Sequence, residues 1–313
     1  MMTNPPLYFK RDGIEPLSVM SQSHSAFKVH PPIEVVQPVR PGTPLVFSSP
    51  HSGNVYPPAF VSASRLDPLM LRRSEDAFVD ELFAAAPRLG APLLKARFPR
   101  ALVDPNREPY ELDPGMFAED LPEYVNRSSP RVGAGLGTIA RIVASGAEIY
   151  TGKLAFAEAE ARIEQLYRPY HSALESLMDD AHSRFGQAWL IDCHSMPAIG
   201  GPLDRDPGKR RVDFVLGDAH GTSCAPWLID WTDSFLRSLG YSVTRNDPFA
   251  GGFITRHYGR PGKGRHALQI EINRRLYMDE ERIERGPAFA ELSGHLTEFV
   301  QAAVDVAARK LAS

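Results

Sequence analysis

Cysteine is nearly absent from this chain: among 313 residues there are only Cys193 and Cys224, and they form no CxxC pair. Two thiols are too few for a disulfide framework, which excludes a stapled secreted scaffold and fits a reducing, cytoplasmic setting. Long apolar runs are missing too. No segment approaches a membrane span, and residues 1–20 mix Pro, Lys, Arg, Asp and Glu without the apolar centre of a secretory signal. Nor does charge of one sign dominate, because 35 Lys and Arg against 38 Asp and Glu leave a net −3. The basic residues make no stripe that would follow a phosphate backbone, so nucleic acid and membrane are excluded as expected partners. Self-association into a homo-oligomer is left open by the composition.

Several catalytic signatures are also lacking. There is no GxSxG elbow, so Ser52 and Ser195 read as turn residues beside histidines. Gly133-Ala134-Gly135-Leu136-Gly137-Thr138 misses the last glycine of a dinucleotide fingerprint, and the stretch from Gly259 to Gly264 lacks the Lys-Ser/Thr end of a phosphate loop. Both read as flexible loops. No internal repeat, heptad array or low-complexity tract is visible.

What is present is an alternation of short apolar runs with longer stretches of helical period, the pattern of an α/β domain with parallel strands. Residues 1–42, rich in Pro and Ser, read as an extended arm, and residues 43–313 as a single domain. The strand candidates are residues 44–49, 93–103, 188–193, 212–216 and 267–272. Helical spacing marks residues 76–86, 155–184 with a break expected at Pro169, 224–239 and 287–311.

Two strand candidates end in a histidine. Pro44-Leu45-Val46-Phe47-Ser48-Ser49 turns polar at Pro50-His51-Ser52-Gly53, and Ala188-Trp189-Leu190-Ile191-Asp192-Cys193 runs into His194-Ser195. Ligands bind outside the carboxyl ends of strands in open α/β sheets, and imidazole is the commonest zinc ligand. Either histidine alone can simply cap a strand; the matched pair favours a metal. Glu75-Asp76 is the nearest acidic cluster for a third ligand, and it serves equally well as the acidic first turn or N-cap of a helix. Residues 267–273 alternate, with Leu268, Ile270 and Ile272 on one face and Gln269, Glu271 and Asn273 on the other. On an interior strand Glu271 would face the crevice as a general base; on an edge strand it would be wet. Arg100 can face an oxyanion, and Asn106 with Arg107 a substrate carboxylate, or each arginine can form a surface ion pair. A second basic turn through Arg256 closes on the same strand, and His220 is a further loop histidine. Cys193 points to the opposite strand face from His194 and reads as a buried structural thiol.

Taken in order, Pro50-His51-Ser52-Gly53, Asp104-Pro105-Asn106-Arg107, Asp192-Cys193-His194-Ser195, the Gly251 to Gly259 segment and Gln269-Ile270-Glu271 resemble the N-formylglutamate amidohydrolase family over residues 44–278. That family is related to the zinc carboxypeptidases and to aspartoacylase and succinylglutamate desuccinylase. The resemblance implies a phosphorylase/hydrolase-like α/β fold, a mixed and largely parallel sheet flanked by helices. It also implies a Zn2+ site of His51, Asp76 and His194, Glu271 as base, Arg100 near the oxyanion, and Asn106 with Arg107 on a substrate carboxylate. Arg256 and His220 are further candidates for substrate contact. The implied reaction is hydrolysis of an N-acyl amino acid, N-formyl-L-glutamate first, to L-glutamate and formate. A deacylase or carboxypeptidase-like hydrolase of another small amide, or a binding homologue without catalysis, are the alternatives. Members acting in histidine breakdown carry Asp-Thr-Asp-Trp where this chain has Ser74-Glu75-Asp76-Ala77, so the aligned carboxylate is kept in altered surroundings.

Overall fold

A computed structural model describes residues 27–312; the first 26 residues of the expected arm lie outside the described residues. The rest of that arm is partly strand. Ile33–Val36 forms β1, because three of its four residues are β-branched and pair well on a pleated surface despite the flanking prolines. The other strands of the main sheet are β2 (Leu45–Ser49), β3 (Leu93–Ala96), β4 (Ala188–Met196), β5 (Phe214–Gly217), β6 (Val243–Arg245) and β7 (Arg265–Asn273). They lie in the order β1-β3-β2-β4-β7-β5-β6. Pairing is parallel for β3 with β2, β2 with β4, β4 with β7 and β5 with β6, and antiparallel for β1 with β3 and β5 with β7. This is the mixed, mostly parallel α/β sheet expected, and β1 and β6 are its unforeseen edges.

The strand expected over 93–103 stops at Ala96. Pro99 cannot donate to a ladder, and its carbonyl instead receives the amides of Leu102 and Val103 in a turn. The helix expected over 76–86 is reduced to α1 (Val79–Leu82), because Phe78 adopts φ 65° and interrupts any helix through it. Asp76 is therefore no first-turn acid and no N-cap. Its amide donates to the His51 carbonyl at 3.0 Å, tying it to the end of β2. The long helix divides into α2 (Phe156–Arg162) and α3 (Arg168–Phe185) around a π turn, Ile163–Tyr167. Pro169 then falls in the first turn of α3, where its missing N–H costs least. α4 (Pro226–Ser238) and α6 (Phe289–Leu311) follow the expected spans, whereas the basic turn through Arg256 is helical as α5 (Phe253–Tyr258).

Alternation along the central strands separates two cores. Leu45, Phe47, Trp189, Ile191, Cys193, Leu268, Ile270 and Ile272 face α4 and α6 in one apolar cluster. Val46, Leu190 and Ala267 face α2 and α3 in the other. On that second face the character changes toward the carboxyl ends, from Val46 to Ser48, from Leu190 to Asp192 and His194, and from Ala267 to Gln269 and Glu271. All of these polar residues are buried. Burying so many polar groups at the end of a core is tolerated only where they satisfy one another, so this end of the sheet is where chemistry is concentrated.

Candidate active site

His51 Nδ1, His194 Nδ1 and Asp76 Oδ2 meet at one point. The histidine nitrogens are 3.1 Å apart, and the carboxylate oxygen lies 3.2 Å from His51 and 3.0 Å from His194. Two imidazole lone pairs cannot face each other at that distance unless a proton or a cation lies between them. Three donors held about 2.0–2.1 Å from one tetrahedral ion would be roughly 3.3 Å apart, so a few tenths of an ångström of spreading admits a metal. The trio can hold a metal ion, and all three residues are buried.

The surrounding groups fix which atoms face that point. His51 Nε2 donates to Asp104 Oδ1 at 2.7 Å, and His194 Nε2 lies 3.1 Å from Asp192 Oδ2. With its Nε2 proton given to Asp104, His51 presents Nδ1 inward, and His194, its Nε2 beside Asp192 and Asn106, turns Nδ1 to the same point, as outer carboxylates orient metal-binding histidines. Arg274 Nη2 donates to Asp76 Oδ1 at 3.0 Å, leaving Oδ2 for the centre. Burial pushes the Asp76 carboxyl up, but the hydrogen bonds to His194 and His51 and the charges of His51 and Arg100 outweigh it and hold it well below its usual range. Burial likewise opposes charge on His194, and Asp192, Asp76 and Glu271 override it. The neighbouring Glu75 is spent elsewhere, on Arg72 and on the Tyr56 hydroxyl at 2.7 Å, which settles which member of the acidic pair faces the histidines.

Glu271 is on an interior strand, in register with His194 of β4. The Gln269 side-chain oxygen accepts from the Gly252 amide at 2.8 Å, which turns its Nε2 to donate to Glu271 Oε1 at 2.9 Å. Burial pushes the Glu271 carboxyl up to about 7, with Asp76 adding to the rise and His194, Arg100 and Arg274 opposing it. Its companion Asn273 instead donates to the Arg211 and Val212 carbonyls and takes no part in the site.

Arg100 donates to Asp104 Oδ2 at 2.8 Å and lies 3.8 Å from Asp76 Oδ1. Arg107 is clamped by the carbonyls of Leu136 at 2.8 Å and Asn106 at 2.9 Å, which leaves Nη2 beside Asp104 at 3.7 Å. Asn106 accepts from the Ile254 amide at 2.8 Å, with its Nδ2 3.2 Å from His194. A side chain at position 252 would strike Asn106 at 2.3 Å, so the second glycine of Gly251-Gly252 is required for α5 to approach. Arg256 is exposed on α5 and has no ion pair among the described residues. His220 is placed apart. β5 runs antiparallel to β7, so the exposed turn carrying His220 lies toward the end of the sheet opposite His194 and Glu271. Ser195 lies within β4 and accepts from Arg274, and Ser52 donates to the Asp76 carbonyl; neither has the environment of a nucleophile. Cys193 is buried on the opposite face, as the alternation indicates, and burial raises its thiol far above its ordinary value.

Asp104, Asp192, Arg274 and His171 were not singled out from sequence. Asp192 had a signal, because two residues before His194 on a strand is the same face. His171 had none, being the fourth residue of α3, whose Nε2 lies 2.9 Å from the Pro105 carbonyl and whose Nδ1 lies 2.9 Å from the Tyr258 hydroxyl. Burial pulls it down to about 4. A histidine lowered on folding keeps its full contribution above its ordinary value near 6.5, and that contribution is lost as pH falls toward 4, because only the unfolded chain then takes the proton. Between pH 7 and 5 this is worth about 2 kcal/mol. His171→Gln, which stays neutral, should therefore lose less stability over that interval than the parent chain. Denaturant titrations at both pH values measure it, and equal losses would refute the assignment.

The sheet with this polar centre at the carboxyl ends of β2 and β4 defines an α/β protein of the hydrolase type. The profile of the N-formylglutamate amidohydrolase family matches residues 43–278, and the chain belongs to that family. It is 32% identical to the N-formylglutamate deformylase of Pseudomonas putida over 244 residues, 76% of this chain and 82% of that one. The deformylase of Pseudomonas aeruginosa is also 32% identical, over 79% of this chain and 87% of its own. The crystal structure of an N-formylglutamate amidohydrolase from Ralstonia eutropha JMP134 superposes with a TM-score of 0.82 at 39% identity, covering 89% of this chain and 99% of that one. An Agrobacterium tumefaciens protein at 19% identity and a TM-score of 0.61 shares the fold.

Proposed function

We propose that this protein is a zinc-dependent amidohydrolase that cleaves N-formyl-L-glutamate to L-glutamate and formate. The observation that carries the reading is the convergence of His51, Asp76 and His194 beside Glu271 in strand register. The names of the relatives supply the substrate. Two imidazoles and a carboxylate suit zinc, which when bound polarises a carbonyl and makes water a nucleophile near neutral pH. Glu271 takes the proton of the attacking water and returns it to the leaving amine, a role suited to a carboxylate whose proton affinity is raised by burial. Arg100 faces the carbonyl oxygen as it becomes an anion. Asn106 and Arg107 hold the α-carboxylate, with the guanidinium pre-set by two backbone carbonyls, so little ordering is left to binding. Arg256 closes the pocket from α5. This reading gives His220 no role, and the reaction runs in the cytoplasm.

Formate release should be fastest from N-formyl-L-glutamate within a panel of N-formyl, N-acetyl and N-succinyl amino acids and C-terminal dipeptides, using protein whose zinc content is measured in parallel. Faster turnover of a dipeptide or a longer acyl group would move the assignment to a peptidase or deacylase. No turnover by the zinc-loaded protein would leave only a binding protein.

A further inference from the structure

The loop over residues 129–138 is built onto the substrate side of the site. The Arg131 carbonyl accepts the Leu136 amide at 2.8 Å, and the Leu136 carbonyl accepts Arg107 Nε at 2.8 Å. The Thr138 carbonyl accepts the Asp104 amide at 2.8 Å. At the start of the loop, Ser129 Oγ accepts from the amides of Arg131 at 3.2 Å and Val132 at 3.1 Å and bonds Glu111. A side chain at position 137 would lie 2.1 Å from the Glu111 carbonyl, so Gly137 locks the loop down, contrary to its reading as a flexible glycine stretch. Arg131 is thus held at a fixed place beside Arg107.

Its side chain is exposed and makes no ion pair among the described residues. Yet the Arg107 charge, then partial desolvation, pulls it down to about 10, with Arg100 adding to the repulsion and Asp104 and Glu111 opposing it. Asp104 bonds Arg100 at 2.8 Å and lies 3.7 Å from Arg107, while Glu111 is engaged by Ser129, so Arg131 has no carboxylate within ion-pair distance among the described residues. Arg131 is thus a cation beside the substrate side of the site with no carboxylate of the protein paired to it among the described residues, and a second anionic group of a ligand would supply one.

We propose that Arg131 receives the side-chain carboxylate of the substrate and so selects an acidic N-acyl amino acid over a neutral one. This rests on the reading that Asn106 and Arg107 take the α-carboxylate. A dicarboxylic substrate spans both points, whereas its neutral amide analogue leaves Arg131 unpaired.

The test compares parent, Arg131→Gln and Arg131→Lys proteins on N-formyl-L-glutamate and N-formyl-L-glutamine, with zinc content and circular dichroism as checks on the fold. Losing a charge-assisted pair should cost about 30-fold in kcat/KM on the glutamate substrate, chiefly through KM, and under about threefold on the glutamine one. The lysine variant should recover part of the loss. Equal losses on both substrates, or none on the glutamate one, would overturn the proposal. Calorimetric binding of glutarate against butyrate repeats the comparison without turnover. If the parent protein is inactive on N-formyl-L-glutamate the functional reading fails, while the Arg131 assignment stands or falls on whether Arg131→Gln weakens glutarate alone.

Discussion

Glu271→Gln should lower kcat for formate release by about a thousandfold while the protein keeps its fold and its zinc, since general acid–base groups commonly supply 10²–10⁴-fold. The substitution is nearly isosteric. Its side-chain oxygen can still accept from Gln269 Nε2, now 2.9 Å from Glu271, so the β7 face has no reason to repack. What it removes is the one carboxylate in strand register with His194 that no arginine neutralises directly, and whose proton affinity burial has raised to about 7. Asp76 cannot substitute, because both its oxygens are committed to the histidines and Arg274. Asp104 is committed to His51 and Arg100. KM should change little, because the proton transfer is made in the transition state and not in the bound substrate. Steady-state kinetics and metal analysis on the same preparation decide the matter, and a variant within tenfold of the parent at full zinc would remove Glu271 from the mechanism.

The parts of this site that were legible in sequence are those set by strand geometry. Period-two alternation placed Glu271 opposite Ile270 and Cys193 opposite His194, and the structure keeps both arrangements. The parts that were not legible depend on chain folding between distant segments. Asp76 looked like a helix cap because apolar spacing continued through Phe78, and only the positive φ of Phe78 separates the acid from the helix. Resemblance to a family, more than spacing, singled Asp76 out. The carboxylates behind the histidines show the same divide: Asp192 shares a strand face with His194, whereas Asp104 reaches His51 across 53 residues of sequence. His171 and Tyr167 support the Asp104 to Arg107 segment from the helical layer, through the Pro105 and Arg107 carbonyls, and a helical period cannot announce that. The edge strand β1 was hidden in the same way by the prolines around it.

Dialysis against a strong chelator should abolish turnover, and about one equivalent of Zn2+ should restore it with release of protons to the buffer. The proton release follows from the geometry. Without a cation, His51 Nδ1, His194 Nδ1 and Asp76 Oδ2 are crowded within 3.2 Å and need a shared proton, which a cation displaces. The affinity should depend on groups that never touch the ion. Asp192→Asn replaces a carboxylate 3.1 Å from His194 Nε2 with a neutral amide, weakening the ring's orientation and basicity, and should cost about 10–100-fold in zinc affinity with nearly normal kcat once zinc saturates. Asp104→Asn should cost as much in affinity, and some kcat as well, because Asp104 also positions Arg100. Competition with a chromophoric chelator gives the affinities, and saturating zinc separates the two variants. Unchanged affinity in both would mean that the buried carboxylates serve packing alone, and activity surviving complete chelation would remove the metal from the reaction.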